Sequence, residues 1–283
     1  MRERNVHTIL GCDNKYEESK IVVFGVPFDG TTSYRPGTRF ASAAIRNESY
    51  SIETYSPYLD RDLEDICVFD AGELEVPIGN TLQTLECIEE FVLKIMDDGK
   101  IPFMIGGEHL VTLGAVRAAV KRHSDLHIIH FDAHADLRDE YLGEPLSHAT
   151  VMRRCWELVG NDRIFQFGIR SGSREEIYWG REHVHTCFFN FSHLDSTVEI
   201  LKGKPVYLTI DLDVLDPSVL PGTGTPEAGG VTFNELLDAV KKVSQLNIVA
   251  MDMTELSPIW DQTGASTILA CKLLREMLLL VYK

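Results

Sequence analysis

The stretch LHIIHFDAHAD, residues 126–136, joins a short apolar run to a cluster of charged side chains. The run LHIIHF has the β-branched, apolar character and the length of a buried strand. Asp132, His134 and Asp136 then alternate with alanine, so an extended chain places all three side chains on one side. Charged groups at the end of a buried strand are costly unless they are paired or bind a metal. The stretch therefore predicts a strand that ends in a cluster of metal ligands.

Four further apolar runs predict buried strands of the same kind: IVVF from residue 21, IPFMI from 101, PVYLTI from 205 and NIVAM from 247. The intervening segments have helical spacing, most clearly at 84–97, 109–123, 232–245 and 266–282. Thr232 and Glu235 form a capping-box signature for the third of these helices, and Gly99 is expected to end the first. Strands that alternate with helices of this length require parallel pairing, so the sequence predicts an α/β fold.

Length and composition indicate a single globular domain over residues 1–283. The chain is 44% hydrophobic and 25% charged, with no low-complexity linker and no fixed repeat. No apolar run is long enough to span a bilayer, and the start MRERNVHTILG lacks the apolar stretch of a secretory signal. Six cysteines without CxxC spacing are typical of reduced thiols in a cytoplasm. The net charge of −16 disfavours nucleic acid and anionic membranes as partners and favours small cations.

Polar residues follow each of the five predicted strands. In chain order the motifs are GVPFDG, GGEH, DAHAD, DLDVLDP and DMTEL. Ligands of open parallel sheets bind in the crevice outside the carboxyl ends of the strands, so we expect the five motifs to converge on one site. The sequence contains no P-loop, no GxSxG elbow and no GxGxxG after a strand, which argues against nucleotide-binding and serine-hydrolase sites.

The expected convergence yields a set of six metal ligands. Asp211 and Asp213 follow PVYLTI with the same spacing of two, and like charges this close need a cation. His109 follows two glycines that permit close backbone approach, which lets its ring enter the crevice. A donor set of oxygen and imidazole without thiolate suits manganese. Six ligands suffice for two cations about 3.5 to 4 Å apart with a bridging water. The sequence thus predicts a two-metal hydrolase with the ligands His109, Asp132, His134, Asp136, Asp211 and Asp213.

Three other polar residues have separate expected roles. Four aspartates and two divalent cations nearly cancel in charge, so Glu255 is free to hold a cationic substrate; its alternative role is a helix cap. His148 can donate a proton to a leaving group, since its ordinary pKa lies near neutrality; its alternative is a surface position. Asp216 is expected to cap a turn. The remaining histidines considered are interpreted as structural: His123, His127, His130, His183, His185 and His193.

Taken together, these motifs resemble the ureohydrolases, the family that includes arginase and agmatinase, with the bacterial agmatinase branch as the nearest. The similarity runs from GVPFDGTTSYRPGTRFASAAIR through GGEH, HFDAHADLR, SHATVMRR, FGIRSG and TIDLDVLDPSVLPGTGTPEAGG to MDMTELSP. The resemblance implies a three-layer α/β/α fold with a mostly parallel sheet of about eight strands. It also implies two Mn²⁺ ions per subunit and hydrolysis of a guanidino compound to urea and an amine.

The resemblance assigns the family's metal ligands to the same six positions. It further implies that Asp136 orients the bridging hydroxide, that Glu255 pairs with the substrate guanidinium and that His148 shuttles a proton. Deacetylases with a single zinc share the architecture but would not need the complete set of ligands.

The substrate-recognition positions depart from the arginase pattern. Arginases carry asparagine two residues beyond the final Asp of DxHxD and Ser-Gly-Asn before the loop histidine, where both grip the α-carboxylate and amine of arginine. This chain has Arg138 and the segment Glu144-Pro145-Leu146-Ser147 there. The difference favours agmatine, with putrescine and urea as products, over arginine. Arg138 is either exposed or available to meet a carboxylate, which keeps guanidinobutyrate and other guanidino acids as alternatives.

A hypothesis from another class is a non-catalytic ureohydrolase-like protein that acts through binding or regulation. The intact ligand set, together with His148 and Glu255, argues against it. The resemblance also implies a homo-oligomer, either a trimer or a hexamer, and a place in polyamine synthesis in the cytoplasm.

Overall fold

The central element of the fold is a parallel sheet of eight strands. The structure, a computed structural model, describes residues 7–283, so the expectation about the start of the chain lies partly outside the described residues. Over these described residues the strands of both sheets are β1 Ile21–Gly25, β2 Tyr55–Ser56, β3 Arg61–Asp62, β4 Val68–Glu73, β5 Ile101–Ile105, β6 His127–Phe131, β7 Ile164–Ile169, β8 His185–Phe188, β9 Pro205–Asp211 and β10 Asn247–Thr254. The sheet order is β4-β1-β5-β10-β9-β6-β7-β8, while β2 and β3 form a small antiparallel pair.

Helices cover both faces of the sheet. They are α1 Ala41–Glu48, α2 Thr81–Asp97, α3 Thr112–Arg122, α4 Val151–Val159, α5 Arg174–His183, α6 Leu194–Leu201, α7 Phe233–Val243 and α8 Ala265–Val281. Alternate residues of a strand point to opposite faces. Accordingly Val23 of β1 packs in one buried cluster with α1, α6, α7 and α8, whereas Val22 packs in a second cluster with α2, α3 and α4. The result is the three-layer α/β/α fold that the family resemblance implied.

All five strands and all four helices expected from the apolar patterns are present. The helix expected at 109–123 begins as a 3-10 turn, His109–Val111, and continues as α3. Other bounds differ by a few residues, most at α2, which begins at Thr81 rather than residue 84. The expected helix end at Gly99 is confirmed by its positive φ of 71°.

The strands that carry the polar motifs lie side by side in the middle of the sheet. Met253 of β10 aligns with Ile105 of β5, and Thr254 aligns with Asp211 at the end of β9. Phe131, the last residue of β6, aligns with Ile210. Parallel strands end at the same edge, so this register brings the segments that follow β5, β6, β9 and β10 together.

The capping box predicted at α7 is present. Glu235 N–H donates to Thr232 Oγ1 at 3.3 Å, and Thr232 N–H donates to Glu235 Oε2 at 2.8 Å. Replacing Thr232 with alanine is therefore expected to lower the free energy of unfolding by about 1 kcal/mol, because one helical N–H loses its partner. Urea denaturation measures this change. Thr232→Ser, which keeps the hydroxyl, serves as the control, and equal stability of both variants would contradict the assignment.

Across residues 7–283, none of the helices combines the length and apolar character that crossing a lipid bilayer requires.

Candidate metal centre

The loops after four central strands supply the candidate ligands. His109 starts the 3-10 turn behind β5, and Asp132 follows β6 directly. Asp211 closes β9, and its carboxylate accepts a hydrogen bond of 2.9 Å from Asp213 N–H in the next turn. Glu255 follows β10. The convergence expected of five motifs is confirmed for these four.

One group of donors surrounds His109. Its Nδ1 lies 3.0 Å from Asp132 Oδ2, 3.1 Å from Asp136 Oδ2 and 3.4 Å from Asp211 Oδ2. All four residues are buried, with His109 only 1% exposed. Three carboxylate oxygens and one imidazole nitrogen therefore face a common buried point.

A second group lies next to the first and shares Asp132 with it. His134 Nδ1 is 2.9 Å from Asp213 Oδ2 and 3.6 Å from Asp132 Oδ1. The other oxygen of Asp132, Oδ2, faces His109. One carboxylate thus presents one oxygen to each group, which is the arrangement expected of a ligand shared by two neighbouring cations.

The orientation of His109 shows that the first group suits a cation. Thr209 Oγ1 donates its proton to Asp252 Oδ1 at 2.6 Å, so the same oxygen is left to accept from His109 Nε2–H at 3.0 Å. In the neutral ring Nδ1 then carries a lone pair, and this buried nitrogen has no hydrogen-bond partner. Such a lone pair is repelled by the carboxylate oxygens that it faces, and a proton or a metal ion at Nδ1 removes the repulsion. The residues present therefore fit a divalent metal.

The crowding of carboxyl groups has the same implication. Burial and the charge of Asp132 raise the pKa of Asp136 to about 7. Burial and the charge of Asp213 likewise hold the pKa of Asp211 well above its ordinary value. These carboxylates are costly to ionise in the protein alone, and a bound cation removes that cost.

A cavity of about 310 Å³ opens beside the two groups and is lined by His134, Asp136, Asp211, His148 and Glu255 among others. Asp136 and Glu255 both have positive φ, 53° and 64°, which is uncommon for residues other than glycine. Such strain persists only where the surroundings enforce it and is often found at functional sites. The backbone thus turns both carboxyl groups toward the cavity.

Glu255 is fixed at one oxygen. Its Oε1 accepts a 2.7 Å hydrogen bond from His109 N–H, which links the substrate-binding candidate to the first donor group. Burial and the nearby charge of Glu108 hold the pKa of Glu255 well above its ordinary value. A side chain at Gly224 would begin 3.4 Å from Glu255 Oε2, so glycine there leaves room at that oxygen. A cationic group beside Glu255 would favour its ionised form.

His148 also lines the cavity, and its tautomer is fixed. Its Nδ1 is 2.9 Å from the Thr31 carbonyl oxygen, which can only accept, so Nδ1 carries the proton. Nε2 is then the free nitrogen and lies 3.2 Å from Ser33 Oγ. Burial lowers the pKa of His148 to about 4, so the ring is neutral at pH 7. The residue is not a surface histidine.

Glu108, which the sequence reasoning left without a role, holds the segment that fixes His148. It is fully buried, and its carboxylate accepts from Thr31 N–H at 2.9 Å and from Thr32 Oγ1 at 3.1 Å. Thr31 Oγ1 also donates to Glu108 and accepts from His148 N–H. The position of Glu108 in the GGEH motif, next to His109, was the only signal in the sequence.

Gly107 allows two backbone segments of the site to touch. A Cβ at this position would lie 1.8 Å from the Phe28 carbonyl oxygen, while Glu255 N–H donates to the Gly107 carbonyl at 3.0 Å. The predicted close approach is confirmed here. We expect Gly107→Ala to lower the free energy of unfolding by about 3 kcal/mol and to displace His109 and Glu255, because backbone cannot yield as a flexible side chain does. Thermal unfolding and metal content measure the two effects.

Gly180→Ala is the control for that substitution, since its Cβ would meet only side chains, at 3.0 Å or more, inside α5. If Gly107→Ala proved as stable as Gly180→Ala and kept its metal, the close approach would have no structural importance.

Asp216, Arg138 and His130 complete the set of candidates from the sequence. Asp216 caps its loop, as expected, by accepting from the N–H groups of Ser218, Gly229 and Gly230. Arg138 lines the cavity with its Nε 3.4 Å from Glu176 Oε2 and its guanidinium 4.9 Å from the Tyr141 ring centre. His130, interpreted as structural, contacts the first donor group, since its Nε2 lies 2.7 Å from Asp132 Oδ2.

Comparisons with known proteins agree with this geometry. The sequence model of the Arginase family matches residues 19–280. The agmatinase of Bacillus anthracis is 49% identical over 269 residues, which cover 93% of this chain and 92% of that protein. The guanidinobutyrase of Pseudomonas aeruginosa is 36% identical over 267 residues, covering 90% and 84%. A crystal structure of a candidate agmatinase from Clostridium difficile superposes with a TM-score of 0.92 at 53% identity, covering 95% of this chain and 99% of that one.

The fold is a three-layer α/β/α hydrolase fold, and its paired donor groups fit a binuclear divalent metal site. The chain belongs to the arginase family.

Proposed function

We propose that the protein hydrolyses agmatine to putrescine and urea with two Mn²⁺ ions, and that residues 1–283 form one arginase-family domain. The observation that carries the proposal is the sharing of Asp132 between two adjacent donor groups that border a cavity containing Glu255. Agmatine is a dication, and its guanidinium stays protonated at neutral pH. A cavity with a spare buried carboxylate suits such a substrate, and a 49% identical relative is an agmatinase.

The six predicted ligands are proposed to hold the two cations. His109, Asp136 and Asp211 would serve one, His134 and Asp213 the other, and Asp132 both. When bound, a pair of divalent cations supplies a water of lowered pKa and stabilises negative charge. Oxygen and imidazole donors without thiolate favour manganese over structural zinc.

The residues of the chain position the substrate and move the proton. Glu255 pairs with the guanidinium, which orients its carbon toward the donor groups and limits its motion. His148 Nε2, unprotonated in the tautomer fixed by Thr31, accepts a proton from the attacking water. The same atom then returns that proton to the amine nitrogen as the carbon–nitrogen bond breaks. The hydroxyl proton that remains on the carbon then passes to the released amine, so the products are urea and the protonated amine.

The contacts of Arg138 favour agmatine over a guanidino acid. Its guanidinium is already opposite Glu176 and over the Tyr141 ring, and Glu176 is buried. A substrate carboxylate would have to compete with an ion pair that is in place. The 36% identical guanidinobutyrase keeps guanidinobutyrate as the second candidate, because Arg138 borders the cavity.

One assay tests the proposal. Purified protein is loaded with Mn²⁺, and urea release is measured from agmatine, guanidinobutyrate and arginine side by side. We expect the highest kcat/KM for agmatine and loss of activity on chelation, restored by Mn²⁺. Highest kcat/KM for guanidinobutyrate would transfer the assignment to that acid, and absence of both metal and urea release would support a binding or regulatory protein.

We further propose a cytoplasmic homo-oligomer, a trimer or a hexamer. Six free cysteines, four of them buried, are consistent with a reducing compartment. Sedimentation of the purified protein distinguishes the two assemblies.

A further inference from the structure

A buried chain of hydrogen bonds runs from β7 to the shared carboxylate Asp132. Gln166 Nε2 lies 3.0 Å from His130 Nδ1 and 2.7 Å from the Ala135 carbonyl oxygen. His130 Nε2 lies 2.7 Å from Asp132 Oδ2. Gln166, His130 and Asp132 are each 0% exposed, so no water competes for these contacts.

The donors and acceptors in this series of hydrogen bonds have only one consistent assignment. The Ala135 carbonyl can only accept, so the Gln166 amide must turn its NH₂ group toward it, and the second proton of that group points at His130 Nδ1. Nδ1 is therefore an acceptor, and the ring is neutral with its proton on Nε2. The Thr186 hydroxyl completes the set by donating to Gln166 Oε1 at 3.1 Å. His130 Nε2–H thus donates to Asp132.

This assignment also excludes His130 from the ligands. His130 lies within reach of His109, Asp132 and Asp136 as a possible member of a metal group. Its Nδ1 is occupied by Gln166 and its Nε2 bears a proton, so neither nitrogen has a lone pair to offer. The contribution of His130 must pass through Asp132.

We propose that Gln166 and His130 are positioning residues that hold Asp132 in the orientation serving both donor groups, and so set the affinity of the protein for its metal pair. This inference rests on the proposed metal centre. The donor from His130 at Oδ2 and the donor from His134 N–H at Oδ1 fix the plane of the Asp132 carboxylate. Hydrogen-bonded partners of metal ligands commonly contribute 10–100-fold to metal affinity.

The test compares two side chains of similar size at residue 130. His130→Met removes the donor, whereas His130→Gln keeps an N–H that can reach Asp132. Equilibrium dialysis against Mn²⁺ gives the dissociation constants, and thermal unfolding of the metal-free proteins reports packing. We expect His130→Met to weaken Mn²⁺ binding about 10–100-fold and His130→Gln to recover most of the loss.

His127→Met is the control, because it makes the same replacement in the same strand at a ring whose Nδ1 contacts the Asp125 carbonyl oxygen rather than a ligand candidate, and it should leave the affinity close to that of the wild type. Equal Mn²⁺ affinity of the methionine and glutamine variants would overturn the inference, whatever their unfolding temperatures. If neither variant folds, Gln166→Met tests the same series of hydrogen bonds one step further from Asp132. Wild-type Mn²⁺ affinity of Gln166→Met would overturn the inference. A wild-type protein that binds no Mn²⁺ would instead refute the metal centre itself.

Discussion

Asp132→Ala is expected to abolish binding of both cations and to lower kcat/KM for agmatine by about 10³-fold or more. Asp132 is the one side chain that belongs to both donor groups, with Oδ2 3.0 Å from His109 Nδ1 and Oδ1 3.6 Å from His134 Nδ1. Its loss removes a ligand from each group at once. Several kcal/mol of transition-state stabilisation from a metal pair correspond to at least this change in rate. Metal content of the dialysed protein and urea release provide the two measurements.

Asp139→Ala is the matched control, since Asp139 lies in the same segment but its side chain is 77% exposed and pairs with Arg153 and Arg154 rather than with a ligand candidate. It should keep both metal and activity. Retention of two cations by Asp132→Ala would mean that the two groups do not share this carboxylate, and the proposed centre would have to be abandoned.

His148→Ala is expected to keep its metal and to lose turnover by about 10²–10⁴-fold, the range typical of general acid–base catalysis. No metal-ligand candidate hydrogen bonds to His148, whose contacts are with Thr31, Ser33 and the edge of the Tyr141 ring. The loss should appear in kcat more than in KM, because the imidazole acts on the transferring proton rather than on the bound guanidinium. Steady-state kinetics with agmatine separate the two parameters.

Added imidazole should restore part of the activity of His148→Ala, which a purely structural histidine would not allow. His193→Ala, at an exposed position, controls for the loss of an imidazole elsewhere. Wild-type kcat in His148→Ala would remove the residue from the mechanism.

The sequence identifies the centre of the fold because its central strands are continuous apolar runs. β1, β5 and β6 are buried on both faces, and hydropathy alone marks them. The outer strands carry weaker signals. Gln166 and Gly168 interrupt the apolar pattern of β7, and β8 has only four residues, so neither was predicted. Helices α1, α4, α5 and α6 are short, at ten residues or fewer, and were missed as well.

The candidate site was predictable to the extent that its members lie in short motifs. His109 and the aspartates each follow a strand, and the shared edge of a parallel sheet brings them together. His130 was missed because it lies inside the apolar run itself, and its partner Gln166 is 36 residues further along the chain. Contacts between buried polar residues on neighbouring strands depend on register, which one sequence does not contain.

The sheet order has a consequence for how the chain acquires its metal during synthesis. β10, the last of the described strands in chain order, lies between β5 and β9 and joins the three strands β4, β1 and β5 to the four strands β9, β6, β7 and β8. Until residue 254 has emerged, these two blocks have no strand between them, and His109 is separated from the aspartates that follow β6 and β9. We therefore expect nascent chains stalled before β10 to bind Mn²⁺ no more tightly than an unfolded peptide, so that loading of the ions requires β10 to be in place.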